Sequence, residues 1–72
     1  MSYVTQDGNY LKSNQDFEAH LTLEIPIDVE ELESDGVLTT GLIQEFNNQY
    51  VKVNDHYFNR ETQIFVSRPF YK

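Results

Sequence analysis

Residues 17–27 read Phe-Glu-Ala-His-Leu-Thr-Leu-Glu-Ile-Pro-Ile. Every odd position is apolar (Phe17, Ala19, Leu21, Leu23, Ile25, Ile27), and every even one is polar or proline (Glu18, His20, Thr22, Glu24, Pro26). A strand turns successive side chains to opposite faces, whereas a helix scatters a period-2 pattern around its circumference. The stretch therefore predicts a strand with one buried and one wet face, in an antiparallel sheet with a single core side.

Upstream, Asp7-Gly8 is a preferred two-residue turn, because both central positions take positive φ. Centred there, a hairpin over residues 3–12 pairs Gln6 with Asn9, Thr5 with Tyr10 and Val4 with Leu11. Ser13-Asn14-Gln15-Asp16 reads as a polar connector.

Downstream, residues 28–36 (Asp-Val-Glu-Glu-Leu-Glu-Ser-Asp-Gly) hold five acids in nine positions. An EF-hand frame starting at Glu31 puts acids at the first, third and fifth positions and Gly36 at the sixth. It puts Leu42 where a bidentate glutamate is required, so the stretch is read as a solvated acidic loop and not a calcium loop.

Residues 37–46 leave two readings open. Leu38, Leu42 and Phe46 recur at helical spacing, but Val37, Thr39, Thr40 and Gly41 are poor helix formers. As a strand, the segment shows apolar residues on both faces, as expected of a strongly bent strand with Gly41 at the bend. After a turn at Asn47-Asn48-Gln49, residues 50–58 read as a second hairpin around Asn54-Asp55. Its register pairs Val53 with His56, Lys52 with Tyr57 and Val51 with Phe58. Residues 62–67 form a last strand, with Ile64 and Val66 on one face and Phe65 on the other, before Pro69.

The order of these segments over residues 19–69 resembles the Sm-like fold, especially bacterial Hfq. Gly41, Ile43, Phe46, Asn47, Val51 and Val53 fit the first Sm motif, and a short hairpin and a closing Ile-Phe-Val-Ser-Arg-Pro run follow. The resemblance implies a strongly bent five-stranded barrel that assembles through edge strands into rings and binds RNA. Asn59-Arg60-Glu61 stands where the bacterial family carries a Tyr-Lys-His run with RNA contacts, and the N-terminal hairpin stands where that family has a helix.

The expected fold is thus all-β. It is a small SH3/Sm-like barrel or strongly bent antiparallel sheet with an N-terminal hairpin, the alternative being α+β with a helix at about residues 37–47. The 72 residues form a single small domain. Residues 1–16 supply the hairpin and connector, 17–69 the barrel core with the acidic loop at 28–36, and 70–72 a tail.

Twelve acids against five bases give a net charge of −7, and Lys12, Lys52, Arg60, Arg68 and Lys72 are dispersed. Phosphate backbones are bound by clustered bases, so the balance disfavours nucleic acid and suits a basic protein surface. No stretch approaches the length of a membrane span, and the expected compartment is the cytoplasm. There is no cysteine, so neither disulfides nor thiolate metal sites contribute.

His20, between Glu18 and Glu24 on the polar face, invites a metal or acid–base reading. One strand supplies two ligands at best, where a metal needs three or four, so His20 is read as solvent-facing. With no phosphate loop, nucleophile elbow or metalloprotease motif, no enzyme, metal or cofactor is expected.

The candidate interface is aromatic: Phe65, Phe70 and Tyr71 with Tyr57, and Arg68 as an anchor for a carboxylate on a neighbouring subunit. Phe65 either lies exposed there or is covered by the N-terminal hairpin. The expected function is a non-catalytic protein-binding or oligomerising module. The alternatives are an acidic nucleic-acid mimic acting through Glu30, Glu31, Glu33 and Asp35, and an Hfq-like RNA-binding ring.

Overall fold

The alternating stretch at residues 17–27 is divided between a helix and a strand. The computed structural model describes residues 5–33 and 36–69, and α1 spans Asn14–Thr22. The supposed polar connector is its start signal. Ser13 is the N-cap, in an extended conformation, and its hydroxyl accepts the Asp16 N–H at 3.2 Å. The Asp16 carboxylate in turn accepts the N–H groups of Ser13 (3.2 Å) and Lys12 (3.1 Å), completing a capping box.

The helix stops at Leu23. Glu24 takes a left-handed φ of 54°, the Ile25 N–H bonds back to the His20 carbonyl, and Pro26 follows. Phe17, His20 and Leu21 fall at i, i+3 and i+4, so the helix turns them to one side. Phe17 is 1% exposed. The period-2 pattern is real, but the caps at its two ends override it.

β1 (Ile27–Glu31) begins after Pro26 and lies between β2 (Val37–Gly41) and β6 (Gln63–Ser67), both antiparallel to it. Hence residues 28–31 of the expected acidic loop are a central strand. Its alternation turns Ile27 and Val29 inward, and that burial fixes the register.

β3 (Ile43–Phe46), β4 (Tyr50–Val53) and β5 (His56–Asn59) form a second antiparallel sheet in the order β3-β4-β5. Residues 37–46 are therefore strand, divided at Leu42, and the helical alternative does not occur. A Cβ on Gly41 would lie 2.9 Å from Asn54 Oδ1. The Asn54 amide occupies that space, donating to Thr39 Oγ1 (2.7 Å) and the Thr40 carbonyl (3.1 Å). The hairpin turns on Asn54 and Asp55 at φ 52° and 66°, and pairs Val53 with His56, Lys52 with Tyr57 and Val51 with Phe58, as its sequence predicts.

At the N-terminus a turn forms at Asp7-Gly8, with the Asn9 N–H bonded to the Gln6 carbonyl, but Gly8 (φ 90°) and not Asp7 takes the positive φ expected of both. The expected ladder between Thr5 and Tyr10 does not form, and Val4 lies outside the described residues. The returning limb pairs with β6 instead. Gly8 N–H bonds to the Ser67 carbonyl (2.8 Å), Ser67 N–H to the Asn9 carbonyl (2.7 Å) and Leu11 N–H to the Phe65 carbonyl (2.8 Å).

Leu11, Phe17, Ile27, Val29, Ile43, Val51, Val53 and Phe65 form the core, with Leu21, Phe46 and Phe58 packed against it. The Phe17 ring meets Phe65 edge-on at 5.4 Å and Phe46 at 5.8 Å, so α1 plugs the space between the sheets. The domain is mostly β with one short helix, and the two small sheets do not close into a continuous barrel.

Candidate functional site

Three groups of side chains carry the chemistry of the described residues. The first joins α1 to β6. His20 Nδ1 lies 2.8 Å from the Asp16 carbonyl oxygen and Nε2 lies 2.8 Å from Ser67 Oγ, which also accepts from Thr5 Oγ1 at 3.0 Å. The carbonyl assigns the proton to Nδ1, leaving Nε2 to accept from the serine hydroxyl. A serine and a histidine at this distance have the spacing of a nucleophile and its base. Here, however, His20 is 1% and Ser67 0% exposed. The expectation of a solvent-facing His20 is thus corrected: on a helix and not a strand, its ring turns into the core, where the pair acts as an internal polar tie.

Burial lowers the His20 pKa below its ordinary 6.5, while the bond to the Asp16 carbonyl and the Asp16 charge pull weakly the other way. Above about pH 6.5 both the folded and unfolded states carry a neutral ring, and His20 imposes no penalty. Below it the unfolded chain takes up a proton that the folded one refuses, so stability falls as pH drops toward the lowered folded value. The slope approaches about 1.4 kcal/mol per pH unit. Urea midpoints followed from neutral into weakly acidic solution are expected to fall for the natural chain and to flatten in His20→Gln. An equal fall in both would assign the acid sensitivity to other groups.

The second group lies on the other face of the β2-β1-β6 sheet. Arg68 Nε donates to Asp28 Oδ2 at 2.7 Å, and its other nitrogens reach Asp7 (3.4 Å) and Glu30 (4.0 Å). Asp28 is buried and accepts the Thr40 hydroxyl at 2.6 Å on its second oxygen. The hydrogen bond to Asp28 is the main cause raising the Arg68 pKa above its ordinary value, so the guanidinium stays charged wherever the protein folds. These bonds engage Arg68, expected as an anchor for a neighbouring subunit, within its own chain.

The third group is the outer face of the β3-β4-β5 sheet. The hairpin register sets Tyr50 and Tyr57 on one face as diagonal neighbours, 59% (Tyr57) and 40% (Tyr50) exposed, their rings edge-on at 6.4 Å. Lys52 Nζ lies 5.3 Å from the Tyr57 ring centroid, and the Tyr57 hydroxyl donates to Glu45 Oε1 at 3.0 Å.

Comparison of the chain with protein-family models, curated proteins and solved structures finds no match. The functional reading therefore rests on this geometry.

Of the expected interface, Tyr57 is exposed, but Phe65 is 2% exposed and is corrected to a core residue. Helix α1 covers it through Phe17, and Leu11 of the N-terminal limb belongs to the same core. Phe70 and Tyr71 lie outside the described residues, as does Asp35. Among the described residues of the acidic set, Glu30, Glu31 and Glu33 do not gather. Glu30 and Glu31 point to opposite faces of β1, Glu30 toward Arg68 and Glu31 toward Gln63, while Glu33 is exposed beyond the strand. Arg60 is also engaged: it lies 4.3 Å from the Phe17 ring centroid and donates to Asn14 Oδ1 and the Asn47 carbonyl.

Among the described residues no three acids or histidines are placed to hold a metal ion, and no helix is long and apolar enough to cross a membrane. The Tyr50–Tyr57 pair was within reach of sequence reasoning, since the hairpin register alone makes the two diagonal neighbours. The His20–Ser67 tie was not, because it depends on the capped helix.

Proposed function

We propose that this chain is a small acidic, non-catalytic protein-binding module on an Sm-like bent-strand framework, presenting the outer face and free edge of the β3-β4-β5 sheet. One observation carries the reading: the Tyr50–Tyr57 pair is exposed beside an edge strand, while the single serine–histidine pair among the described residues is sealed in the core. Exposed, rigid tyrosines supply contact area at little conformational cost and are favoured at binding surfaces. The framework reading is supported by a helix, not a hairpin, ahead of β1, and by strand order. The bent segment spanning β2 and β3 passes from one sheet to the other, and the last strand returns beside β1.

The test compares the natural chain with a Tyr50→Ser/Tyr57→Ser variant whose far-UV circular dichroism is unchanged. The variant is expected to lose the partner that the immobilised natural chain captures. If the partner is a second copy, the mass measured by light scattering falls to that of a monomer. Unchanged capture and mass would remove this face from consideration. A salt-sensitive shift of a fluorescent oligo-U by the natural chain would favour the RNA-binding reading instead.

A further inference from the structure

We propose that the free edge of β5 takes up an extended, basic segment of a partner protein as an added strand. This rests on the binding-module reading and names the partner's chemistry.

A two-residue turn makes Val53 and His56 exchange backbone hydrogen bonds, and alternation makes Val51 and Phe58 the next such pair. The intervening Tyr57 then points its N–H and C=O away from β4, and so does Asn59. The Asn59 carbonyl accepts the Thr62 N–H at 3.2 Å, leaving both groups of Tyr57 and the N–H of Asn59 as the open rung. No described segment pairs with them. By contrast, the outer side of β6 is covered by residues 8–11.

Edge strands are ordinarily blunted by lysine, proline or a bulge. β5, His-Tyr-Phe-Asn, has none of these, and its register to β4 is regular.

The charge around the edge selects the occupant. Asp55 at one end of β5 and Glu61 beyond the other are both exposed, and every ion pair among the described residues is made by Arg68, so neither acid is in one. Of the nearby cations, Lys52 lies against the Tyr57 ring, and the Arg60 guanidinium lies over the Phe17 ring and donates to Asn14 and Asn47. A second copy would bring the same acids to a chain already at −7. A strand with lysine or arginine toward its ends complements both acids, and the exposed Tyr57 ring gives a basic stem an apolar surface to lie along. Backbone bonds hold such a strand, and the flanking charges select it.

The probe is a blocked hexapeptide of alternating Lys and Val, titrated into the full 15N-labelled chain. The largest amide shifts are expected at Tyr57, Phe58 and Asn59, with binding that weakens as salt rises. Alternating Glu and Val should give no shifts. N-methylation of alternate peptide nitrogens should weaken binding at least about tenfold if strand pairing holds the peptide. Asp55→Asn with Glu61→Gln should weaken it roughly tenfold if the charges select it.

Absence of shifts at Tyr57 and Asn59 would overturn the inference, as would equal binding of the N-methylated peptide. Broadening of the same amides with protein concentration alone would make a second copy the occupant and overturn it too. Should the peptide fail while the Tyr50→Ser/Tyr57→Ser variant still loses its natural partner, this inference falls and the binding-module reading stands.

Discussion

Phe17→Ala is expected to remove a large share of the protein's stability. The ring is wholly buried between Phe65 and Phe46, with the Arg60 guanidinium over one face. Truncating such a ring removes its transfer free energy and leaves a cavity, together about 3–5 kcal/mol. A domain of 72 residues has a total stability of only about 4–11 kcal/mol. The helix is too short to persist without that packing, so its circular dichroism signal should vanish with the tertiary fold. Phe46→Ala, at a half-buried position, is expected to lose less. A shift of under about 1 kcal/mol in the urea-derived stability of Phe17→Ala would contradict the plugging role of α1.

Arg68→Met should be the next most damaging change described here. It leaves the Asp28 carboxylate in a buried position with the Thr40 hydroxyl but no counter-charge. Breaking a fully buried ion pair costs about 3–5 kcal/mol. Arg68 keeps a partly wet guanidinium, with 29% of its side chain exposed, so the expected loss is nearer 2 kcal/mol. Adding Asp28→Asn should return part of it, because a neutral amide needs no cation, and the double-mutant cycle measures that return. Losses that simply add would mean the two side chains do not depend on each other.

These residues also mark how far the sequence could be read. The hairpin at residues 50–58 was legible to the exact pairing, because a two-residue turn at Asn54-Asp55 fixes register without help from the rest of the chain. The bend near Gly41 was legible for a similarly local reason: small and β-branched residues oppose a helix there. Residues 17–27 were misread because positions 17 and 21 satisfy both a strand face and a helix face. The deciding groups, Ser13, Asp16 and Pro26, lie outside the alternation or look like exceptions to it. Everything downstream of that choice followed it. His20 was assigned to water, and Phe65 was left without the cover that Phe17 provides. Arg68 was not legible as an internal ion-pair partner, for another reason. Its carboxylates lie 40 and 61 residues away in sequence, and no local pattern announces them.

β6 comes last among the described strands, yet it lies between β1 and residues 8–11 and supplies the ring that packs on Phe17. A ribosome delivers the chain from its N-terminus, so all of these partners emerge and wait before the strand that joins them. Until residues 63–67 appear, β1 lacks one neighbour and Phe17 lacks the edge-on contact of the Phe65 ring. The short links from β1 to β2, β3 to β4 and β4 to β5 let those pairs form on local terms before then, whereas β1 with β6 closes a long loop. A stop or cleavage within residues 63–67 therefore leaves local hairpins without the strand that sits between β1 and residues 8–11.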